Sequence, residues 1–276
     1  MIGVLFGLAC ALLWGSGDFV GGVATRRNHA LQVLVAASLS GMLLLAFFAI
    51  IWREGLPTSQ NTAWAAAAGI SGGVAIAALY RGLATGYAAE VAPLAAVIGA
   101  AIPVATGASI QGWPPIAQMM GFITALPGVW LVSRPPATAG AWSSEDFGFA
   151  CLAGIGIGGF LVFMAQVGTG PVFTPLLVAR TASLCAGLSL VWMLGLRSVR
   201  LHRPLVACLA GCLDAGGNVL YLLATRYGRL DVAAVLSSMY PLTTVTLAYW
   251  LQAQSVTRMQ SLGVGLCLVA VALMAA

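Results

Sequence analysis

The chain consists almost entirely of long apolar segments separated by short polar turns. A helix crosses the hydrocarbon core of a bilayer with about 20 apolar residues, and each segment has roughly that length. Runs bounded by Arg, Pro, Asn or Gly predict ten such helices, over residues 2–24, 31–52, 63–81, 88–110, 116–133, 146–166, 172–195, 204–225, 231–251 and 257–275. The sequence therefore predicts an all-α integral membrane protein with ten transmembrane helices.

The composition also points to a lipid environment. Only 7% of the 276 residues are charged, whereas a soluble domain carries roughly 25%, so the chain could not cover its surface in water. We expect a multi-pass protein of the cell inner (plasma) membrane, with the bilayer and a small-molecule substrate as its partners. The net charge of +5 is spread over short loops, a pattern typical of membrane orientation rather than of nucleic-acid binding.

Several kinds of chemistry are excluded or disfavoured. All twelve basic residues are Arg, so the chain lacks the Lys that a phosphate-binding P-loop or a Schiff base requires. The six Cys lie inside apolar segments and the two His, His29 and His202, lie at segment ends, which disfavours a metal site or a disulfide. We predict no cofactor, although coupling to protons or another cation stays open.

The two halves of the chain resemble each other. Residues 7–19 align without a gap with residues 148–160, and three glycines, Cys10 and Phe19 are among the identical positions. We predict two repeats of five helices, joined by a linker, over residues 1–134, 135–145 and 146–276. Because five is an odd number, the second repeat enters the membrane inverted, an arrangement that encloses a central cavity near the midplane.

Pairs of glycines four residues apart predict close contacts between membrane helices. Either these pairs pack helices of one chain together, or they form a homodimer face, so both a monomer and a homodimer are consistent with them. The pairs are Gly3/Gly7, Gly17/Gly21, Gly69/Gly73, Gly82/Gly86 and Gly154/Gly158.

Three ionisable residues lie well inside predicted helices, where a charge costs at least about 2.5–3.5 kcal/mol unless it faces water or a partner. Asp18 shares a glycine-rich helix face with Trp14, which suits a ligand that carries an amine or a ring; the alternative is a hydrogen bond within a closed helix seam. Arg180 either binds a substrate carboxylate or pairs with Asp18 or Asp214.

Polar residues recur every three or four positions along the eighth helix and form one ridge. Lipid would leave such groups without hydrogen-bond partners, so the ridge faces the interior and either lines a solvated pathway or forms a buried network. Ser237 and Tyr240 repeat the pattern on the ninth helix, and Tyr80 aligns with Tyr221 of the other half. The predicted substrate-binding residues are Trp14, Asp18, Tyr80, Arg180, Asp214, Asn218, Tyr221, Ser237 and Tyr240.

Motifs along the chain resemble those of bacterial EamA-type transporters of the drug/metabolite transporter superfamily. They include Leu-Trp-Gly-Ser-Gly-Asp-Phe-Val-Gly-Gly (13–22), Val-Ala-Pro-Leu (91–94), Leu-Pro-Gly-Val-Trp (126–130) and Val-Leu-Ser-Ser-Met-Tyr-Pro (235–241). The resemblance covers essentially the whole chain. It implies ten helices in two inverted five-helix repeats around a central cavity, and a carrier, often an exporter, of small metabolites.

Two features depart from this resemblance. The Gly-Glu-Arg that the family has after its fourth and ninth helices is replaced by Gln111-Gly-Trp-Pro and Gln252-Ala-Gln-Ser. The resemblance also implies cytoplasmic termini, whereas Arg is concentrated in the first, third, fifth, seventh and ninth loops. By the positive-inside rule, this concentration predicts the reverse orientation.

Together these features predict a secondary-active transporter, without enzymatic activity, that exports a small organic metabolite by alternating access. Asp18 and Asp214 would bind a proton or another cation. A passive channel and a membrane-embedded enzyme are the alternatives. The enzyme is disfavoured because His29 and His202 are predicted at the interface, far from Ser16, so that no Ser/His pair forms.

Overall fold

A computed structural model describes residues 1–26, 28–84, 88–133, 144–193, 201–252 and 257–275. These residues form helices joined by short turns, and no strand occurs among them. Most of the predicted linker, residues 135–145, lies outside the described ranges. The helices are α1 (Ile2–Thr25), α2 (Ala30–Ile51), α3 (Ser59–Ala84), α4 (Ala88–Gln111), α5 (Ile116–Ser133), α6 (Ser144–Ala165), α7 (Phe173–Met193), α8 (Pro204–Tyr227), α9 (Leu230–Ser237), α10 (Tyr240–Gln252) and α11 (Arg258–Ala275).

The helices are those of a multi-pass membrane protein. In the described part of the chain, eight segments are long and apolar enough to cross a bilayer: α1, α2, α4, α5, α6, α8, α9 with α10, and α11. The apolar stretch of α7, Phe173–Ser189, is shorter. The predicted all-α membrane protein is confirmed in this form.

The third helix begins earlier than predicted. We expected it to begin at residue 63, where the apolar run begins, but α3 begins at Ser59. Thr58 caps this end, because its hydroxyl oxygen accepts the N–H of Asn61 at 3.3 Å. A capping side chain satisfies an N–H group that has no partner within the helix, so a polar first turn precedes the apolar segment.

The ninth predicted helix is broken. We expected one helix over 231–251, but Ser238 and Met239 form a turn between α9 and α10. Pro241 explains the break, since proline has no N–H to donate and its ring clashes with the carbonyl four residues earlier. Pro241 instead occupies the first turn of α10, where proline is tolerated. The hydroxyl of Ser238 donates to the Ala234 carbonyl at 2.7 Å.

Contacts between connections define two faces of the molecule. One face carries the first residues of the chain, and we call it the terminal face. There Gly3 of α1 lies beside Gly228, and the α2–α3 connection binds the α6–α7 connection through Glu54. On the opposite face, Asn28 after α1 donates to the carbonyl of His202 before α8 at 3.0 Å. Each full-length helix runs between these two faces.

Glycine allows several helix pairs to approach until a backbone touches a backbone. A Cβ on Gly211 of α8 would overlap the carbonyl oxygen of Ala37 on α2, and one on Gly69 of α3 would overlap that of Ala179 on α7. The described GxxxG glycines also face helices of their own chain; Gly154 and Gly158, for example, pack on α4. The described pairs thus pack helices of one chain together, and the pair Gly82/Gly86 lies outside the described residues.

We expect Gly211→Ala to lower the free energy of unfolding in detergent by about 2 kcal/mol, because an overpacked contact has to move α2 and α8 apart. Gly265→Ala on α11 is the matched control, since a Cβ there meets nothing within 4 Å. Thermal unfolding of the two variants measures the difference. Equal stability of both variants would contradict the close packing of α2 and α8.

Candidate functional site

A cavity of about 280 Å³ lies between α1, α2, α3, α6, α7, α8 and the break that separates α9 from α10. Tyr221 and Ser237 are buried beside it rather than lining it, and the side chain of Tyr80 lies outside the described residues. The other six predicted substrate-binding residues line the cavity: Trp14, Asp18, Arg180, Asp214, Asn218 and Tyr240.

Arg180 and Asp214 form an ion pair at the cavity wall. The amide of Asn218, one turn along α8, donates to the same carboxylate oxygen of Asp214 at 3.3 Å. The Arg180 side chain is 13% exposed and that of Asp214 42%, so the pair borders the cavity and is not sealed in the core. Of the two interpretations of Arg180, pairing with an intramembrane acid is the one found.

Asp18 lies on the same cavity, close enough to Asp214 for the two carboxylates to interact electrostatically. Its side chain is exposed. Among the described residues, no hydrogen bond or ion pair engages the Asp18 carboxylate. The closed helix seam that the sequence also allowed is therefore not what surrounds Asp18.

Two tyrosines hold the indole of Trp14 next to this acid. The Trp14 ring stacks on Tyr221 with ring centroids 5.8 Å apart and meets Tyr240 edge-on at 6.4 Å. The Tyr221 hydroxyl donates to the carbonyl of Leu161 at 2.8 Å, which ties α8 to α6. Gly217 leaves the space that the indole fills, since a Cβ there would lie 2.6 Å from its nitrogen.

Sequence reasoning missed several residues that line the cavity. Ser38, Ser183 and Ser238 lie along it, as does Phe160. The hydroxyl of Ser183 donates to the carbonyl of Gly69 at 2.9 Å, so this serine also joins α7 to α3. Single serines and phenylalanines in apolar helices are too common to be recognised from sequence, and only their position in the fold identifies them.

Residues at equivalent places in the two halves line opposite parts of the cavity. Six pairs of lining residues are each separated by 142 positions: Asp18 and Phe160, Leu34 and Leu176, Ser38 and Arg180, Leu45 and Gly187, Gly72 and Asp214, and Ile76 and Asn218. The same spacing relates the contact of Gly211 with Ala37 to that of Gly69 with Ala179. It also relates the contact between Trp14 and Gly217 to the contact between Gly156 and Ala75.

This spacing differs by one residue from that of the gapless sequence match. The match aligned Gly15 with Gly156, but Gly15 faces α10 whereas Gly156 faces α3. One residue turns a helix by about 100°, so the aligned glycines point to different neighbours. The counterpart of Asp18 is thus Phe160 rather than Gly159, and that of Asp214 is Gly72 rather than Gly73.

Apolar side chains of α6 and α7 pack at the end of the cavity nearest the terminal face. Leu161 of α6 and Leu176 of α7 line its end, and Met164 and Val167 are fully buried beyond them. The α6–α7 connection, residues 166–172, then follows. Packed apolar side chains therefore separate the cavity from this face.

Three polar side chains bind the α6–α7 connection, and we call this group the clamp. The Glu54 carboxylate accepts the N–H groups of Val172, Phe173 and Thr174 at 2.7, 2.8 and 3.0 Å. Asn61 accepts the N–H of Gly168 at 3.1 Å. Arg226 of α8 donates to the carbonyls of Gly168, Gly170 and Pro171 at 2.8 to 3.0 Å.

A second polar group joins α4 to α9 on the same face. Asp231 is fully buried and pairs with Arg229 at 2.7 Å. Arg229 also donates to the carbonyl of Gly112 at 2.7 Å, and the side chain of Gln111 accepts the N–H of Leu230 at 2.9 Å. Arg229 and Gln111 thus hold the connection after α4, one of the two places where this chain lacks the Gly-Glu-Arg motif.

Comparison with known proteins identifies the family. The model of the EamA-like transporter family matches residues 1–134 and 147–276. A crystal structure described only as that of a protein has a similar fold, with a TM-score of 0.79 over 98% of this chain and 95% of the other at 15% identity. No curated protein matches the sequence. The chain belongs to the EamA-like transporter family and is a membrane transporter of the drug/metabolite transporter type.

Proposed function

We propose that the protein is a secondary-active transporter that moves a small organic metabolite by alternating access. The observation that carries this proposal is the cavity itself, which is lined by equivalent residues of the two halves and contains a carboxylate, that of Asp18, with no partner among the described residues. A binding site between two related halves allows small rearrangements to open it to either side of the membrane.

The packing of the helices supports two inverted five-helix repeats. α1 packs against α8, α9 and α10, and in the same way α6 packs against α3 and α4. α2 packs against α8, as α7 packs against α3, while α2 meets α7 and α5 meets α11 across the halves. If each helix is replaced by its counterpart in the other half, the same set of helix contacts results. We infer ten transmembrane segments, with α3 and α7 completing the set and with α9 and α10 as one segment.

The two ends of the cavity differ in a way that suits alternating access. Apolar packing and the clamp close the terminal side. Towards the opposite face, Asp18 and Gly22 of α1 and Arg26, which directly follows α1, are spaced four residues apart, and all three are exposed. We propose that the structure is closed at the terminal face and that substrate reaches the cavity along this exposed stripe.

Transport in the other direction requires the clamp to open. The Glu54 carboxylate lies at the N-terminus of α7. There it accepts hydrogen bonds from three N–H groups, and its negative charge interacts favourably with the helix dipole. We expect Glu54→Gln to cost about 0.5–2 kcal/mol of local stability, as the loss of a helix cap does. The amides of residues 168–174 should then exchange with solvent roughly 2- to 30-fold faster, as hydrogen-exchange mass spectrometry would show.

Ser59→Ala serves as the control, since Ser59 is exposed and is the first residue of α3, directly after the same connection. Exchange that is unchanged in Glu54→Gln would mean that the Glu54 carboxylate does not hold this face closed.

The distribution of Arg supports an exporter. In the sequence, the predicted first, third, fifth, seventh and ninth loops carry Arg26, Arg27, Arg81, Arg134, Arg197, Arg200, Arg203 and Arg258, and the loops between them carry Arg53, Arg226 and Arg229. By the positive-inside rule we propose that the opposite face is cytoplasmic, so that the open cavity loads from the cytoplasm. This orientation is the reverse of the one that the family resemblance implies.

A single cysteine on the terminal face tests the orientation. We expect Gln60→Cys, at an exposed position in a background without the native cysteines, to react with a membrane-impermeant maleimide added to intact cells. Labelling only after the cells are permeabilised would place the termini in the cytoplasm and remove the argument for export.

Reconstitution tests the proposed function itself. Ligands that stabilise the protein in a thermal-shift screen of amines, amino acids and nucleosides would be loaded into proteoliposomes. We expect saturable efflux that accelerates when the same ligand is present outside. A carrier that has released its ligand outside returns to the inward-facing state faster when it binds another ligand molecule there. Flux that rises linearly with concentration would indicate a channel, and conversion of a ligand in detergent would indicate an enzyme; either result would overturn the proposal.

A further inference from the structure

The charged side chains of the cavity lie on one group of helices and the apolar side chains mainly on another, and we call these two sets of side chains the polar wall and the apolar wall. Among the described lining residues, every charged side chain comes from α1, α7 or α8. The counterparts of these charged residues in the other half also line the cavity and are neutral: Phe160 for Asp18, Gly72 for Asp214 and Ser38 for Arg180. α2, α3 and α6 add mainly aliphatic and aromatic surface, through Leu34, Leu45, Ile76, Ile157 and Leu161. A complementary ligand is therefore amphipathic, with one polar end.

The polar wall carries one net negative charge. Arg180 is already engaged by Asp214, and the described lining holds no further cation. A carboxylate or phosphate on the ligand would therefore meet Asp18 without a free positive charge to balance it. Like charges in a site of low dielectric repel strongly, so the charge balance excludes anionic ligands and favours a monovalent cation.

Two aromatic rings share the cavity with the Asp18 carboxylate. Trp14 lies one turn before Asp18 on α1, and Tyr240 lines the same cavity. The two rings meet edge-on at 6.4 Å. Tryptophan and tyrosine faces attract ammonium groups through their quadrupoles, so the rings and the carboxylate attract the same chemical group.

The volume limits the size of this cation. A cavity of about 280 Å³ lies at the lower end of the roughly 300–1,000 Å³ that pockets for drug-sized ligands occupy. A single small ring or a short aliphatic body with one ammonium group suits this size.

We propose that the ligand is a small monovalent organic cation, a protonated amine or a quaternary ammonium with an apolar body. Its charged group binds Asp18 between Trp14 and Tyr240, and its body lies on the wall formed by α2, α3 and α6. This inference deepens the proposed function, because it takes the ligand of the cavity to be the transported molecule.

Three probes with the same phenylethyl body test the ligand class: 2-phenylethylamine, 2-phenylethanol and 3-phenylpropionate. Calorimetric titration in detergent at pH 7 should show the amine binding at least tenfold more tightly than the alcohol, and the acid most weakly. Asp18→Asn should reduce the preference for the amine over the alcohol to less than twofold, while Asp18→Glu should retain it. Equal binding of amine and alcohol, tighter binding of the acid, no binding of any probe, or a preference that survives Asp18→Asn would each overturn the inference.

A measurement on the unmodified protein covers the case in which Asp18→Asn fails to fold. A hydrophobic carbodiimide should label the Asp18 carboxyl group, and phenylethyl-trimethylammonium should protect it at least fivefold more than the alcohol does, as read by peptide mass spectrometry. Equal protection by both compounds would contradict cation binding at Asp18.

The outcomes separate this inference from the proposed function. Asp18-dependent binding of the amine without saturable flux in proteoliposomes would support the ligand class and refute transport. Saturable flux of a neutral or acidic compound, without a preference for the amine in binding, would support transport and refute the ligand class.

Discussion

Asp18→Asn is expected to reduce the saturable uptake of 2-phenylethylamine into proteoliposomes by about 10- to 100-fold. Hydrogen bonds to charged groups contribute about 1.5–3 kcal/mol, and each 1.4 kcal/mol corresponds to a factor of ten. Asp18 is the cavity carboxylate without a partner among the described residues. In Asp18→Asn, no other unpaired carboxylate of the described lining is available to bind the ammonium group. Initial rates over a range of concentrations measure the effect.

Asp18→Glu is the matched control for this prediction, since it keeps the charge and moves it by one methylene. We expect uptake by Asp18→Glu to stay within about tenfold of the unmodified protein, and above that of Asp18→Asn. If Asp18→Asn transports as well as the unmodified protein, at every pH tested, then Asp18 binds neither substrate nor a coupling cation.

Arg180→Gln is expected to lower the free energy of unfolding in detergent by about 2–3 kcal/mol. Breaking a buried ion pair from one side costs about 3–5 kcal/mol, because the remaining charge is left unpaired. The Asp214 side chain is 42% exposed to the cavity, and water there reduces this cost. At about 2–4 °C per kcal/mol for chains of comparable size, the midpoint of thermal unfolding should fall by roughly 4–12 °C.

Neutralising both partners removes the unpaired charge and provides the test of mechanism. The double variant Arg180→Gln with Asp214→Asn should be more stable than Arg180→Gln alone, although it lacks one more native side chain. A double variant that loses the sum of the two single effects would show that the two residues act independently, contrary to the ion pair in the structure.

The charged part of the site could be predicted from sequence because charge is costly in lipid. Asp18, Arg180 and Asp214 stand out in apolar helices, and all three lie on one cavity. Which of them pair could not be predicted, because that depends on how α7 approaches α8. The role of each residue in binding remains a proposal.

The apolar half of the site left no signal in the sequence. Leucine, isoleucine and glycine look the same on a lipid-facing and on a cavity-facing helix surface, and both surfaces are apolar. Phe160 and Gly72 were identified only because the structure places them on the cavity. The glycine identities likewise gave an alignment of the two halves that is shifted by one residue. Helices rich in Gly and Ala can be aligned in several registers with similar numbers of identities.

The break between α9 and α10 shows a similar limit. Pro241 was visible in the sequence, but Pro103 and Pro127 lie within the unbroken helices α4 and α5. A proline in a membrane helix can be accommodated by neighbouring groups. Here Ser238 supplies an alternative hydrogen bond and lines the cavity, so the local context decides where a proline interrupts a helix.

Distances between spin labels on each face test alternating access most directly. In a cysteine-free background, one labelled pair would be placed at Ser59 and Thr169 on the terminal face, and another at Gly22 and Ser189 beside the opposite end of the cavity, all exposed positions. During turnover with 2-phenylethylamine, a second population should appear in which the first pair lies farther apart and the second pair closer together. Saturable flux with both distances unchanged would contradict alternating access.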